Sequence, residues 1–294
     1  MKKSSIKSDP LIKLAKKRVN ALQKAMADSQ ASSNDLSVEA VHELRVCSKN
    51  LRALLQLYRP FCNKIILNNV EQLVKALADS YAGQRDADVQ YELVCQAIEA
   101  LAKLNDKTKQ FLLRYFVELR HHANEKSRIA DVRAQLEQLL LVWKQELTLS
   151  LMTDCSQGLQ FSYQKSRKLA LKAAITDKDD KYHQCRKWVK YYLYQSRMLH
   201  SNKNAKNDMY LNQLAILGDL LGKLHDYCVL EQSLTLILTH SARQKFNSIE
   251  ARSIEVAISQ IQAWLAEQKR LNKSQCQTLF KHIFSHSKSP IKIR

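Results

Sequence analysis

His42, Arg45, Lys49 and Arg52 follow one another at intervals of three and four residues. On a helix turning about 100° per residue they fall within an arc of about 80°. A second set, His183, Arg186, Lys187, Lys190 and Arg197, occupies an arc of about 100° by the same reckoning. Side chains so placed stand about 5–6 Å from their neighbours on a helix surface. Each set is therefore a ladder of cationic donors that a chain of phosphates could follow. Leu44, Leu51, Leu54, Leu55 and Tyr58 point away from the first ladder, and Trp188, Tyr192 and Leu199 from the second. Glu39 and Glu43 lie outside the first basic arc, so no acid on that helix relieves the repulsion between like charges, a few tenths of a kcal/mol per pair. The plain alternative is a solvated face opposite a buried one; it accounts for one such helix more easily than for two.

Each ladder is followed by a second pattern. Arg85-Asp86-Ala87-Asp88-Val89 begins its Asp 44 residues after His42, and His225-Asp226-Tyr227-Cys228-Val229 begins its Asp 43 residues after His183. Two motifs in the same order at nearly the same spacing point to an internal duplication, with residues 1–150 as one helical repeat and 151–294 as the other. His42 and His183 stand on cationic faces, where a phosphate or carboxylate would favour their charged form and make each a further donor; the alternative is a neutral His bonded within a bundle. Asp86 and Asp226 could be acids of a catalytic pair, caps of helix N-termini, or acceptors orienting a basic side chain. Orientation is preferred, because neither repeat places a second carboxylate with its Asp in the same way. The partners expected are His42 or Arg45 for Asp86, and His183 or Arg186 for Asp226.

Other chemistry finds little support. His225-Asp226 invites comparison with metal-dependent phosphohydrolases, but the first repeat has Arg85 at the corresponding place, and Arg is no metal ligand. The glycines at 83, 158, 218 and 222 form no phosphate-cradling loop, and no nucleophile elbow or zinc-protease motif occurs. No enzymatic activity, metal or cofactor is expected.

These side chains need helices to hold them. The chain of 294 residues has only 4 Gly and 3 Pro, too few breakers for a sandwich or a doubly wound sheet of this length. Apolar periodicity predicts helices near 9–28, 37–59, 63–82, 85–104, 107–123, 126–151, 157–175, 181–200, 206–223, 225–240, 243–268 and 274–286, with a frayed tail from Ser285. With 45% hydrophobic and 26% charged residues the chain can bury a core. No apolar run spans a bilayer, so no membrane insertion is expected. Lys13, Lys16, Lys17 and Arg18 interrupt any leader-like segment, and seven scattered Cys read as free thiols of a reducing compartment. A cytoplasmic protein is expected. Its net charge of +19 calls for a polyanionic partner.

Val38-Glu39-Ala40-Val41-His42-Glu43-Leu44-Arg45-Val46, continuing through Lys49, Leu51 and Arg52, resembles the opening motif of CHAD domains, the His-containing α-helical domains. Gly83-Gln84-Arg85-Asp86-Ala87-Asp88-Val89 is similar to the family's following turn and helix start, with Gly83 one position late. Tyr163 through Arg167, His183-x-x-Arg186-Lys187-x-x-Lys190, Tyr194 and Gly222-x-x-His225-Asp226 resemble its second half. The chain departs from the family at Asn50, where a basic residue is common, and at Leu193 and His225, where Arg is usual. The resemblance implies an all-α fold of two pseudo-symmetric antiparallel helical bundles whose basic helices face a shared cavity. It further implies non-catalytic binding of inorganic polyphosphate, with Arg85, Arg167 and His225 joining the two ladders, and an association with polyphosphate granules. A helical nucleic-acid-binding protein shares the charge and is the less favoured partner reading, since only 7% of residues are aromatic and few fall within the basic arcs. A metal-dependent phosphohydrolase is the enzymatic alternative.

Overall fold

The computed structural model describes residues 38–79, 82–101, 104–124, 152–199, 205–239 and 248–291, with scattered residues of 13–24 and 134–143. Its elements are all helices: α1 (Val38–Leu57), α2 (Lys64–Asp79), α3 (Ala82–Ala100), α4 (Asp106–Asn124), α5 (Met152–Thr176), α6 (Asp179–Leu199), α7 (Ala205–Thr239) and α8 (Ser248–Ile283). The all-α reading of the sequence therefore holds. The helices expected near 9–28 and 126–151 lie outside the described residues for much of their length.

Local chemistry sets the boundaries. α1 ends just ahead of Pro60, which cannot continue a helix. Asn63 Oδ1 accepts the Ile65 N–H at 2.8 Å to open α2, and Asn105 Oδ1 accepts the Lys107 N–H at 2.9 Å to open α4. Asp177 takes a left-handed conformation, φ 51°, so that α5 turns into α6 within two residues.

Two apolar cores result, and both halves of the sequence enter each. The first collects Leu44, Leu51 and Leu55 of α1, Val70 and Val74 of α2, Leu159 and Tyr163 of α5, Val189 and Tyr192 of α6, Leu214 and Leu217 of α7, and Phe280 of α8. The second collects Val94 of α3, Phe116 of α4, Leu230 and Leu234 of α7, and Ile258 and Ile261 of α8. α1 packs on α6, α3 on α7 and α4 on α8. The first two pairs carry the matching His and Asp motifs, an arrangement compatible with a duplication.

Three expectations need correcting. The helices predicted at 206–223 and 225–240 are one helix, α7, and those at 243–268 and 274–286 are one helix, α8. In α7 the buried side changes: Leu214, Leu217, Leu221 and Leu224 face the first core, while Tyr227, Leu230, Leu234 and Ile237 face the second. The buried face swings by about 150° near residue 225, which breaks the apolar period without breaking the backbone. The tail, too, is docked as far as Ile291. Tyr163 donates its hydroxyl to the His286 carbonyl at 2.7 Å, Gln160 accepts the Ser289 N–H at 2.9 Å, and Ile291 is buried in the first core.

Candidate anion-binding strip

α1 and α6 are placed by close approach on their unladdered sides. Gly158 of α5 lies so near the end of α1 that a Cβ there would stand 2.4 Å from the Leu57 carbonyl oxygen. Across the α1–α6 contact, buried Gln195 Nε2 donates to the Ala53 carbonyl at 2.7 Å, and the Arg59 guanidinium lies 5.8 Å over the Trp188 ring. Rising residue numbers on α1 meet falling numbers on α6, so the two helices cross antiparallel. The two ladders leave this crossing in opposite directions. One follows α1 from Arg52 through Lys49 and Arg45 to His42, about 15 Å. The other follows α6 from Lys190 through Lys187 and Arg186 to His183, about 10 Å. Two separate ladders in the sequence become one continuous strip in the fold.

At the crossing, Arg52, Arg59 and Lys187 gather around Tyr191. Burial pushes the Tyr191 hydroxyl up to about 12; Arg52 and Arg59 pull it down and Glu71 pushes it further up. The Lys187 ammonium lies 5.8 Å over the Tyr191 ring. The Arg52 guanidinium acts on the Tyr191 hydroxyl both by charge and as a hydrogen-bond donor, while Arg52 Nε itself is buried without a partner among the described groups. Arg59 donates Nε to Gln56 Oε1 at 2.5 Å and Nη2 to Glu71 Oε2 at 3.1 Å, while Lys187 reaches Glu71 Oε1 at 3.4 Å. Along α6, Lys190 donates to Asp219 of α7 at 3.0 Å, its stem passing over Gly218, where a Cβ would stand 3.3 Å from it.

His183 and His225 meet as well. Their Nδ1 atoms are 3.1 Å apart and their rings 4.7 Å apart, centre to centre. One nitrogen must donate while the other accepts, so the contact holds a single proton. Burial, then Arg186 and Lys187, push the His183 imidazole below its ordinary range. The pair borders a cavity of about 410 Å³ that Asp179, Leu224, Cys228 and Gln232 also line. The Cys228 thiol is pushed up to about 11 by burial and by Asp179. Among the described residues no group of three or more His, Cys, Asp or Glu side chains could hold a metal ion. Asp179 is instead anchored by Lys269 at 3.0 Å and Lys273 at 2.9 Å from α8, which fixes the start of α6.

The remaining expected residues divide. His42 and Lys49 are exposed and Arg45 is half-buried on α1. Asp86 is exposed, and no hydrogen bond joins it to His42 or Arg45. Asp226 is half-buried in the interior of α7, so a role as an N-terminal cap is ruled out for it. The side chain of Arg85 lies outside the described residues. Arg167 donates Nε to the Phe284 carbonyl at 3.1 Å, beside a Tyr163–Tyr192 contact. Tyr192 leaves α6 about 160° away from Lys190, so Arg167 is not brought to the strip. Arg59, Glu71 and Asp219 were not singled out from the sequence. Arg59 had a signal, standing seven residues beyond Arg52 on the same helical face; Glu71 and Asp219 had none, because they arrive from other helices.

The model of the CHAD domain family matches residues 13–235. The chain belongs to the CHAD domain family. Among solved structures, PptA from Streptomyces chartreusis superposes with a TM-score of 0.66 at 12% identity, over 94% of this chain and 98% of that one. The CHAD domain from the plant Ricinus communis gives a TM-score of 0.63 at 16% identity, over 97% of this chain and 94% of its own. At such identities the likeness is one of fold. No curated protein matches the sequence. In this CHAD domain no described helix is long and apolar enough to cross a membrane.

Proposed function

We propose that this CHAD domain binds inorganic polyphosphate without turning it over, along the strip made by α1 and α6, and that it does so in the cytoplasm on polyphosphate granules. The observation that carries this reading is the antiparallel crossing at Arg52, Arg59 and Lys187, which joins the two cationic ladders end to end. Arg forks and Lys ammonium groups replace the cations condensed on a phosphate chain and hold its oxygens by charge-assisted hydrogen bonds. A single phosphate meets one rung, whereas a chain meets many at once, so affinity rises with length.

The aromatic side chains weigh against single-stranded nucleic acid as the preferred partner. Trp188 is packed edge-on against Phe161 and Tyr191, with Arg59 and Lys165 above its ring. A base could stack on it only by displacing those cations. Binding without hydrolysis is supported by His225 being engaged with His183 and by the protonated Cys228 beside them.

Competition between long polyphosphate and RNA at equal phosphate concentration and physiological salt tests the proposal. Polyphosphate is expected to win by more than about tenfold, 1.4 kcal/mol, and to weaken steeply as salt rises. Equal competition by RNA would sink the polyphosphate reading; phosphate release that depends on added divalent metal would sink the non-catalytic one.

A further inference from the structure

Among the described residues, Glu71 is the acid that stands at the centre of the cationic strip. It comes from α2, its side chain is only 17% exposed, and its two oxygens are shared between Arg59 and Lys187. Gln56 and the Trp188 ring hold the Arg59 guanidinium from its other sides. A carboxylate bridging an Arg fork and a Lys ammonium reproduces the contacts a phosphate group would make there. Beside it Arg52 lies against the Tyr191 hydroxyl, so the crossing gathers Arg52, Arg59 and Lys187 around a single carboxylate that pairs with only the last two.

We propose that Glu71 is a built-in competitor that occupies one anion position of the strip, so that the crossing rejects short phosphoanions and admits long ones. This rests on the polyphosphate reading above. A tethered carboxylate acts at a high effective concentration. A short anion has only the crossing's few donors with which to displace it. A long chain is already held on both arms of the strip, and it either replaces Glu71 from that anchored position or bridges past it. Glu71 thus sets the lower limit of chain length, a property that net charge alone does not supply.

The test measures Glu71→Gln and the wild type against tripolyphosphate and against long-chain polyphosphate. Glu267→Gln serves as control, because Glu267 is exposed on α8 and paired with Arg270; it changes net charge equally, away from the strip. Glu71→Gln should bind tripolyphosphate at least about threefold more tightly, on the scale of one partly exposed ion pair, and long chains with a smaller gain. Tripolyphosphate should also raise its melting temperature more than that of the wild type, a readout that holds if the variant is somewhat less stable. Weaker binding of both ligands would make Glu71 a positioning group for Arg59 and Lys187 and overturn the proposal. An equal gain in Glu267→Gln, or an equal gain for both chain lengths, would also overturn it, by reducing the effect to charge. If the wild type bound neither ligand, the polyphosphate reading would fall first and this one with it.

Discussion

α1 and α6 carry matching ladders, yet the fold treats them differently. On α6, Lys187 and Lys190 are each met by a carboxylate from another helix, and His183 is met by His225. On α1, His42 and Lys49 are exposed, and Arg52 lies against the Tyr191 hydroxyl. A cation paired with a carboxylate a few ångströms away presents a dipole rather than a full charge, and it must leave that partner before it can take up a phosphate. Lys187 and Lys190 must give up Glu71 and Asp219 to a ligand, so the α6 ladder should supply less of the attraction than its charge count implies. The α6 ladder should supply selection, because its donors must first be released from their own partners.

The largest expected effect follows directly. Arg45→Glu with Arg52→Glu should weaken binding of long polyphosphate about a hundredfold, roughly 2.7 kcal/mol. Arg186→Glu with Lys190→Glu should weaken it about tenfold, roughly 1.4 kcal/mol. Lys281→Glu with Lys288→Glu, at exposed positions, is the control and should stay within about twofold, being screened by salt. Circular dichroism should show helix content kept throughout. Equal losses from the two ladders would break the comparison, and no loss from either would confine the site to the other half.

A second prediction concerns how α1 is seated. Gly158→Ala would push a methyl into backbone atoms of Leu57, with 2.8 Å to its Cα. Backbone cannot swing aside as a side chain can, so a loss of about 1–3 kcal/mol is expected in thermal or denaturant unfolding. Gly222 has nothing within 4 Å of an added Cβ. Gly222→Ala should be neutral or stabilising by up to about 1 kcal/mol, the helix-propensity difference. Similar melting of the two variants would show that α1 does not need that close approach.

The α6 ladder should also respond to pH. His183 is depressed below its ordinary value, so above about pH 6.5 it is neutral in both the folded and unfolded chain. As pH falls through that value the unfolded chain binds the proton first, and the stability His183 contributes declines. Bound polyphosphate favours the charged imidazole, so affinity should rise by a few fold over the same window. His183→Gln should flatten that rise, as read by titration between about pH 5 and 7.5. An unchanged pH profile would remove the histidine pair from the site.

The smallest effect separates the two Asp residues. Asp226 is half-buried within α7, and Asp86 is exposed on α3. Asp226→Asn should cost about two- to threefold in affinity through lost orientation of donors. Asp86→Asn should leave affinity unchanged or slightly improved, because it removes a carboxylate that is bonded to neither His42 nor Arg45. A loss from Asp86→Asn would restore the symmetric orienting role that the repeat suggested.

Much of this was legible in the residues themselves. Scarce breakers and a 3.6-residue apolar period specify helices, since that pattern depends on neighbours within one or two turns. The same period places His42, Arg45, Lys49 and Arg52 on one face. It failed at Lys223–His225, where α7 leaves one core for the other and its buried side rotates. It failed again around Glu267–Ser274, a polar run that reads as a connection but lets Lys269 and Lys273 of α8 reach Asp179. The tail from Ser285 looked frayed because its partners, Tyr163, Gln160 and Tyr192, lie more than ninety residues away in the chain.

The sequence by itself determined the helices, the net charge, the paired motifs and the two cationic faces, all consequences of local spacing and composition. Only the tertiary structure decided that the faces meet antiparallel at Arg52 and Arg59, that Glu71 and Asp219 answer the α6 lysines, and that Arg167 holds the tail rather than the strip. Those outcomes depend on which helix packs against which. An ion pair needs atoms within about 4 Å, and residues far apart in the chain come that close only when burial of the two cores fixes the angles between helices.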